Sequence, residues 1–125
     1  MSVFSHAVLG SNDIERSKTF YDAALKPLGL TYLGEYRPGM IMYGKDVAAF
    51  FITKPLDGKS ASFSNGATLG FNAKSAQEID AFYKAGLDNG GTCAGPAGPR
   101  AAPGSYAAYL RDPDHNKIVA WYEPA

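Results

Sequence analysis

Two histidines, one cysteine, an acidic turn and one loop arginine are the side chains here with the chemistry to hold a metal, move a proton or grip an anion. His6 lies in the apolar run Val3 to Gly10. It reads either as a buried histidine satisfied by neighbouring backbone or hydroxyl groups, or as a lone polar handle or general base facing a ligand. His115 lies in Asp112-Pro113-Asp114-His115-Asn116, a turn by composition. Histidine tolerates positive φ better than most residues, so a turn role is expected there. Asp112 and Asp114 fit strand-end hydrogen bonding better than an acid–base pair. Cys93 has no His or Asn near it in sequence, so a buried, inert thiol is expected rather than a nucleophile. Arg100, in a Gly/Pro-rich run, is either a solvated loop residue or a side chain reaching over a binding site to a carboxylate or phosphate. No phosphate loop, Ser-His-Asp arrangement or zinc-spaced Cys/His cluster is present.

These residues sit on a regular succession of elements. Val3–Gly10 reads as a strand. Asn12 with Glu15 forms a capping-box-like helix start, and Ile14, Tyr21, Ala24, Leu25 and Leu28 keep a helical period until Gly29 stops it. Thr31–Tyr36, Met40–Tyr43 and Val47–Thr53 read as strands separated by turn compositions. After a polar stretch from Leu56 to Gly66 the order recurs: strand Ala67–Ala73, a helix capped by Ser75 and Glu78 and ended by Gly90-Gly91, then Ser105–Arg111 and Lys117–Tyr122. Cys93–Gly104 reads as a long loop, with room for a short strand at its start.

The recurrence extends to residues. Phe20-Tyr21 superposes on Phe82-Tyr83, Ala23 on Ala85, Leu25 on Leu87 and Gly29 on Gly91. Each half is therefore a βαβββ module, about 1–57 and about 66–125. The fold class expected is α+β: two modules forming a curved mixed sheet around a central cavity, helices on the outside. At 125 residues the chain suits one domain. Lys+Arg and Asp+Glu are equal at 12 each, which gives no attraction to nucleic acid or anionic membranes. No apolar stretch approaches the ~18 residues that span a bilayer, the start lacks a signal-peptide pattern, and a lone cysteine excludes an intrachain disulfide. A cytoplasmic location is expected.

Three stretches carry a family resemblance: Ser5-His6-Ala7-Val8-Leu9, Asp13-Ile14-Glu15-Arg16-Ser17 with Phe20-Tyr21, and Asp112-Pro113-Asp114-His115-Asn116-Lys117-Ile118. In order and spacing they resemble the vicinal-oxygen-chelate superfamily of glyoxalases, bleomycin-resistance proteins and dioxygenases. Gly98-Pro99-Arg100 with Tyr106-Ala107-Ala108-Tyr109 is similar to small bacterial glyoxalase-like members. The resemblance implies a divalent metal held by four inward strand positions, acting as a Lewis acid on a bidentate oxygen substrate. Carried onto this sequence, those positions are His6, Ala49, Thr68 and Val119. One imidazole and one hydroxyl are too few, because catalytic sites use about three protein ligands.

Strand alternation then places Phe51 with Ala49, Asn72 with Thr68, and Trp121 with Val119, giving an apolar and aromatic hollow. Tyr106 and Tyr109 have opposite parity, so at most one lines it; Tyr106 is favoured by the motif. Phe51 and Trp121 also fit a secondary core. The expected function is metal-free binding of a small organic ligand by His6, Ala49, Phe51, Thr68, Asn72, Arg100, Tyr106, Val119 and Trp121, with His6 the candidate catalytic residue if there is one. No cofactor is expected. The alternatives are a metal-dependent lyase, isomerase or dioxygenase with displaced ligands, and an interaction protein with a closed hollow. By analogy a homodimer is expected, with modules paired within or across chains.

Overall fold

The computed structural model describes residues 3–124. Met1, Ser2 and Ala125, counted in the modules by sequence, lie outside the described residues. The first module runs β1 (Ala7–Gly10), α1 (Ile14–Leu25), a 3-10 turn (Lys26–Leu28), β2 (Thr31–Arg37), β3 (Met40–Gly44) and β4 (Ala48–Thr53). The second runs β5 (Leu69–Asn72), α2 (Ala76–Asp88), β6 (Thr92–Pro99), β7 (Tyr106–Arg111) and β8 (Lys117–Tyr122). The sheets share one topology, β1-β4-β3-β2 and β5-β8-β7-β6. In each, the first and last strands pair in parallel and the other neighbours antiparallel. Two βαβββ modules of mixed α+β type are therefore present. Among the described residues no ladder joins the two sheets to each other.

Local chemistry explains the helices. Asp13, not Asn12, caps α1, its carboxylate accepting from the Arg16 N–H. Asn12 instead holds the linker, exchanging hydrogen bonds with the Ala61 backbone. Ser75 caps α2 as expected, and Glu78 reaches back to the Lys74 N–H. Gly29 ends the first helical stretch in the left-handed region at φ 82°.

Each helix covers one face of its own sheet, and the two helices pack on each other. Phe20, Tyr21, Ala24 and Leu25 of α1 and Ile79 and Phe82 of α2 share one core with Phe50, Ile52, Phe71, Leu110, Ile118 and Ala120. Phe50 meets Phe71 edge to face at 5.2 Å, joining the modules. Gly86 lets α2 settle on β7 and α1, since a Cβ there would overlap Leu110 Cδ1 and stand 3.2 Å from Phe20 Cε1.

Two expectations need correction. Thr92–Pro99 is an eight-residue strand, not mainly loop. Its Gly and Pro residues are accommodated by register shifts between Cys93 and Gly95 and between Gly95 and Gly98, leaving only one side of the strand paired. Cys93 is exposed, not buried, because it lies on this edge strand.

Candidate functional site

Because strand side chains alternate, every residue that meets the helices leaves its neighbours on an opposite, open face. In the first sheet the open face carries His6 and Val8 of the β1 segment and Ala49 and Phe51 of β4; in the second it carries Thr68, Gly70 and Asn72 beside Lys117 and Trp121, while Val119, of the same parity, is buried among its neighbours.

On the first open face His6 is exposed, and its ring stands 5.5 Å from Phe51 in an edge contact. Ser5 Oγ lies 2.8 Å from His6 Nδ1, leaving Nε2 towards solvent or a ligand. Tyr36 packs on the same Phe51 at 5.7 Å. Val8, beside them, is 44 % exposed.

On the second open face Tyr109 is the centre. The Arg100 guanidinium lies 5.5 Å and the Lys117 ammonium 5.2 Å from its ring centroid. Three backbone carbonyls hold Arg100: Gly98 and Pro99 accept from Nη1 at 2.9 and 3.2 Å, and Pro96 from Nη2 at 2.8 Å. Arg111, opposite Lys117 across β7 and β8, donates to the His115 carbonyl and covers the Phe63 ring. Trp121 Nε1 donates to Glu123.

Tyr106 does not join this face. Its side chain turns to α2, and its hydroxyl donates to Asp80 at 2.6 Å. The strand's even positions, Ala108 and Leu110, enter the core, so Tyr106 goes with them and Tyr109 is the tyrosine on the open side. The parity of Tyr109 with Arg111 and Lys117 was the signal for this cluster.

His6, Ala49 and Phe51 are gathered on one face, and Thr68, Asn72, Val119, Trp121 and Arg100 on the other; no hydrogen bond or ring contact joins the two groups. Two surface depressions, of about 400 and 320 Å³, lie elsewhere and include none of these residues. The donors at the four expected metal positions are one imidazole and one hydroxyl, with two alkyl groups, and do not fit a transition ion. Among the described residues no group of three His, Cys, Asp or Glu side chains is gathered to hold one.

The acidic turn does structural work. Asp112 accepts from Tyr21 Oη (2.6 Å), Asn116 Nδ2 (2.9 Å) and the N–H groups of Asp114 (2.8 Å) and Asn116 (3.0 Å). Asp114 accepts from Ser17 Oγ, Arg16 Nη2 and the Asn12 N–H. Burial pushes the Asp112 carboxyl above its ordinary 3.8, against the pull of bonds from Tyr21 and Asn116. Burial and the adjacent Asp112 push the Tyr21 phenol well above 10.0. His115 takes the turn's left-handed position at φ 69°.

This architecture is shared with known proteins. The profile of the Glyoxalase/Bleomycin resistance protein/Dioxygenase superfamily matches residues 3–120. A glyoxalase/bleomycin resistance protein from Albidiferax ferrireducens is 48% identical, with 98% of this chain and 100% of that one aligned at a TM-score of 0.89. A glyoxalase-related enzyme from Fulvimarina pelagi (20% identity, 99% and 90% of the chains, TM-score 0.76) shares the fold. So does a fosfomycin resistance protein from Mesorhizobium loti (17% identity, 99% and 94%, TM-score 0.70). No curated protein matches. The chain belongs to the glyoxalase/bleomycin resistance protein/dioxygenase superfamily. Among the described residues no helix is long and apolar enough to cross a membrane.

Proposed function

We propose that this chain is a cytoplasmic binding protein for small organic molecules, working without a catalytic metal, whose pocket is completed by a second copy of the chain. The observation that carries the reading is the pair of unpartnered faces, polar and aromatic, with no chelating set between them. His6, Phe51 and Tyr36 on one, and Tyr109 and Trp121 on the other, offer rings and a few polar groups, the lining that small ligands use. In the single chain Tyr36 and His6 are exposed and Phe51, Tyr109 and Trp121 half-buried, so both faces stay partly in water unless something covers them.

The internal repeat supports a dimer. The modules have one topology, so a two-fold axis can set the first face of each copy against the second face of the other. Two equivalent pockets then close without leaving an unmatched surface. In each pocket His6, Ala49 and Phe51 come from one copy and Thr68, Asn72, Val119, Trp121 and Arg100 from the other. The donors at the metal corners are the same side chains whichever chain supplies them, so pairing does not restore a chelate. His6 serves as a polar handle through its free ring nitrogen.

Light scattering with elemental analysis of the native protein tests both parts. A dimer mass with no stoichiometric transition ion supports the reading. A monomer overturns the shared pocket, and one tightly held ion per chain overturns the metal-free role in favour of a lyase, isomerase or dioxygenase.

A further inference from the structure

We infer that Arg100 and Lys117, flanking Tyr109, form a subsite for the oxyanion end of the ligand, a carboxylate or phosphoryl group, with its apolar body against Trp121; this rests on the pocket reading above. The chain is charge-neutral, with 12 basic and 12 acidic side chains, so this is not a general excess of cations. Three other cations have carboxylates: Arg16 pairs with Asp114, Lys18 with Asp22 and Lys84 with Asp88. On the open face of the second sheet Arg100, Lys117 and Arg111 have none among the described residues. Glu123, the acid at that face's edge, accepts from Trp121 instead.

Arg100 is also pre-oriented. Gly95 and Gly98 leave the strand bare beneath it: a Cβ on Gly95 would stand 3.1 Å from Tyr109 Cδ1 and 3.5 Å from Arg100 Nη2, and one on Gly98 would stand 3.7 Å from Arg100 Nη1. Carbonyls take three of the five guanidinium N–H groups, leaving Nε–H and one Nη2–H without an acceptor. Neutral carbonyls fix the group without cancelling its charge, so its remaining donors keep full strength for an anion. Lys117 adds a second charge on the same ring, while Val119 and Trp121 follow it on one side of β8. Both cations thus stand within 5.5 Å of the centre of one ring, and Trp121 on the same side of β8 offers the surface for an organic body.

Trp121 is the single tryptophan, so its fluorescence reports this face. Benzoate, phenylphosphonate and the uncharged analogue benzamide are titrated into the dimer, with Lys117→Met, Arg100→Gln and the charge-keeping Lys117→Arg alongside, all checked for an unchanged melting curve. Saturable binding of either anion, with benzamide about tenfold weaker or more, is expected, as is a similar loss in Lys117→Met and Arg100→Gln that Lys117→Arg largely recovers. The better anion names the headgroup. Equal binding of benzamide, or unchanged anion binding in both neutral variants, overturns the subsite and leaves the pocket standing. If the neutral variants instead shift only the dimer dissociation constant, a partner carboxylate occupies the cations and the subsite is likewise overturned. No saturable binding by any probe overturns the pocket and the subsite together.

Discussion

The Tyr21 hydroxyl donates a 2.6 Å hydrogen bond to Asp112 Oδ2, tying the first helix of one module to the last turn of the other. Tyr106 makes a bond of the same 2.6 Å length to Asp80, but in solvent. The two match in chemistry and length but differ in burial and in whether they cross between modules. Tyr21 and Asp112 are at 0% and 2% exposure, so removing the hydroxyl leaves a buried carboxylate short of a donor. Tyr21→Phe should cost about 1–3 kcal/mol of folding stability in urea unfolding, and Tyr106→Phe close to nothing. Equal losses would show that the inter-module bond carries no special weight.

The same network sets an alkaline limit. Burial raises the Tyr21 phenol well above 10.0, and burial with the Asp22 carboxylate raises Tyr43. Both folded-state values lie above the unfolded value of 10.0, so unfolded chains lose these protons first. The stability they contribute is complete below pH 10 and is lost as pH rises beyond it. Phenolate absorbance should therefore show two of the eight tyrosines titrating only together with the loss of circular dichroism. Asp112 has the opposite sense from most carboxylates. Its folded value is raised above 3.8, so protonation there favours the folded chain and acid unfolding does not start from it. Smooth titration of all eight tyrosines near pH 10 in a folded protein would refute this account.

Gly29 and Gly91 occupy matching places in the repeat and do different physical work. Gly29 has φ +82°, and a Cβ there would meet only Lys45 Cε, at an ordinary 3.7 Å. Gly91 is crowded: a Cβ there would stand 2.4 Å from Phe20 Cε1 and 2.9 Å from the Gly86 carbonyl oxygen. Gly29→Ala should cost about 1–2 kcal/mol through backbone strain, partly relieved in Gly29→Asn. Gly91→Ala should cost roughly 1–3 kcal/mol through overlap, and Gly91→Asn more. Thermal melts of the four variants separate the mechanisms, and relief by asparagine at both positions would contradict the assignment.

That pair also marks how far the sequence could be read. Phe20-Tyr21 and Phe82-Tyr83 announced two capped helices and the βαβββ order, because helical period and capping chemistry are local. Parity along β4, β5 and β8 was equally legible, since alternation needs only the residue order. Arg100 with Tyr109 was not, because a strand with two register shifts obeys neither period cleanly. The Asp112 turn looked like a turn and nothing more. Its docking on α1 depends on the angle between modules, which no local pattern encodes. Whether the open faces meet within a chain was undecidable for the same reason.

Val8 offers the sharpest test of what covers the first face. It lies one pleat from His6 with 44 % of its surface exposed, so it packs no core within its own chain. A charged residue there should leave the folded protomer almost untouched, since surface changes stay within about 0.5 kcal/mol. In a dimer that sets this face against its partner, the same charge loses its water, a penalty of at least several kcal/mol when unpaired. Val8→Asp should therefore raise the dimer dissociation constant by two orders of magnitude or more in sedimentation equilibrium, with an unchanged far-ultraviolet spectrum. Ligand binding should fall with it, because each pocket draws on both copies. A Val8→Asp protein that remains as tightly dimeric as the parent would place the subunit contact elsewhere and leave the first face open to solvent.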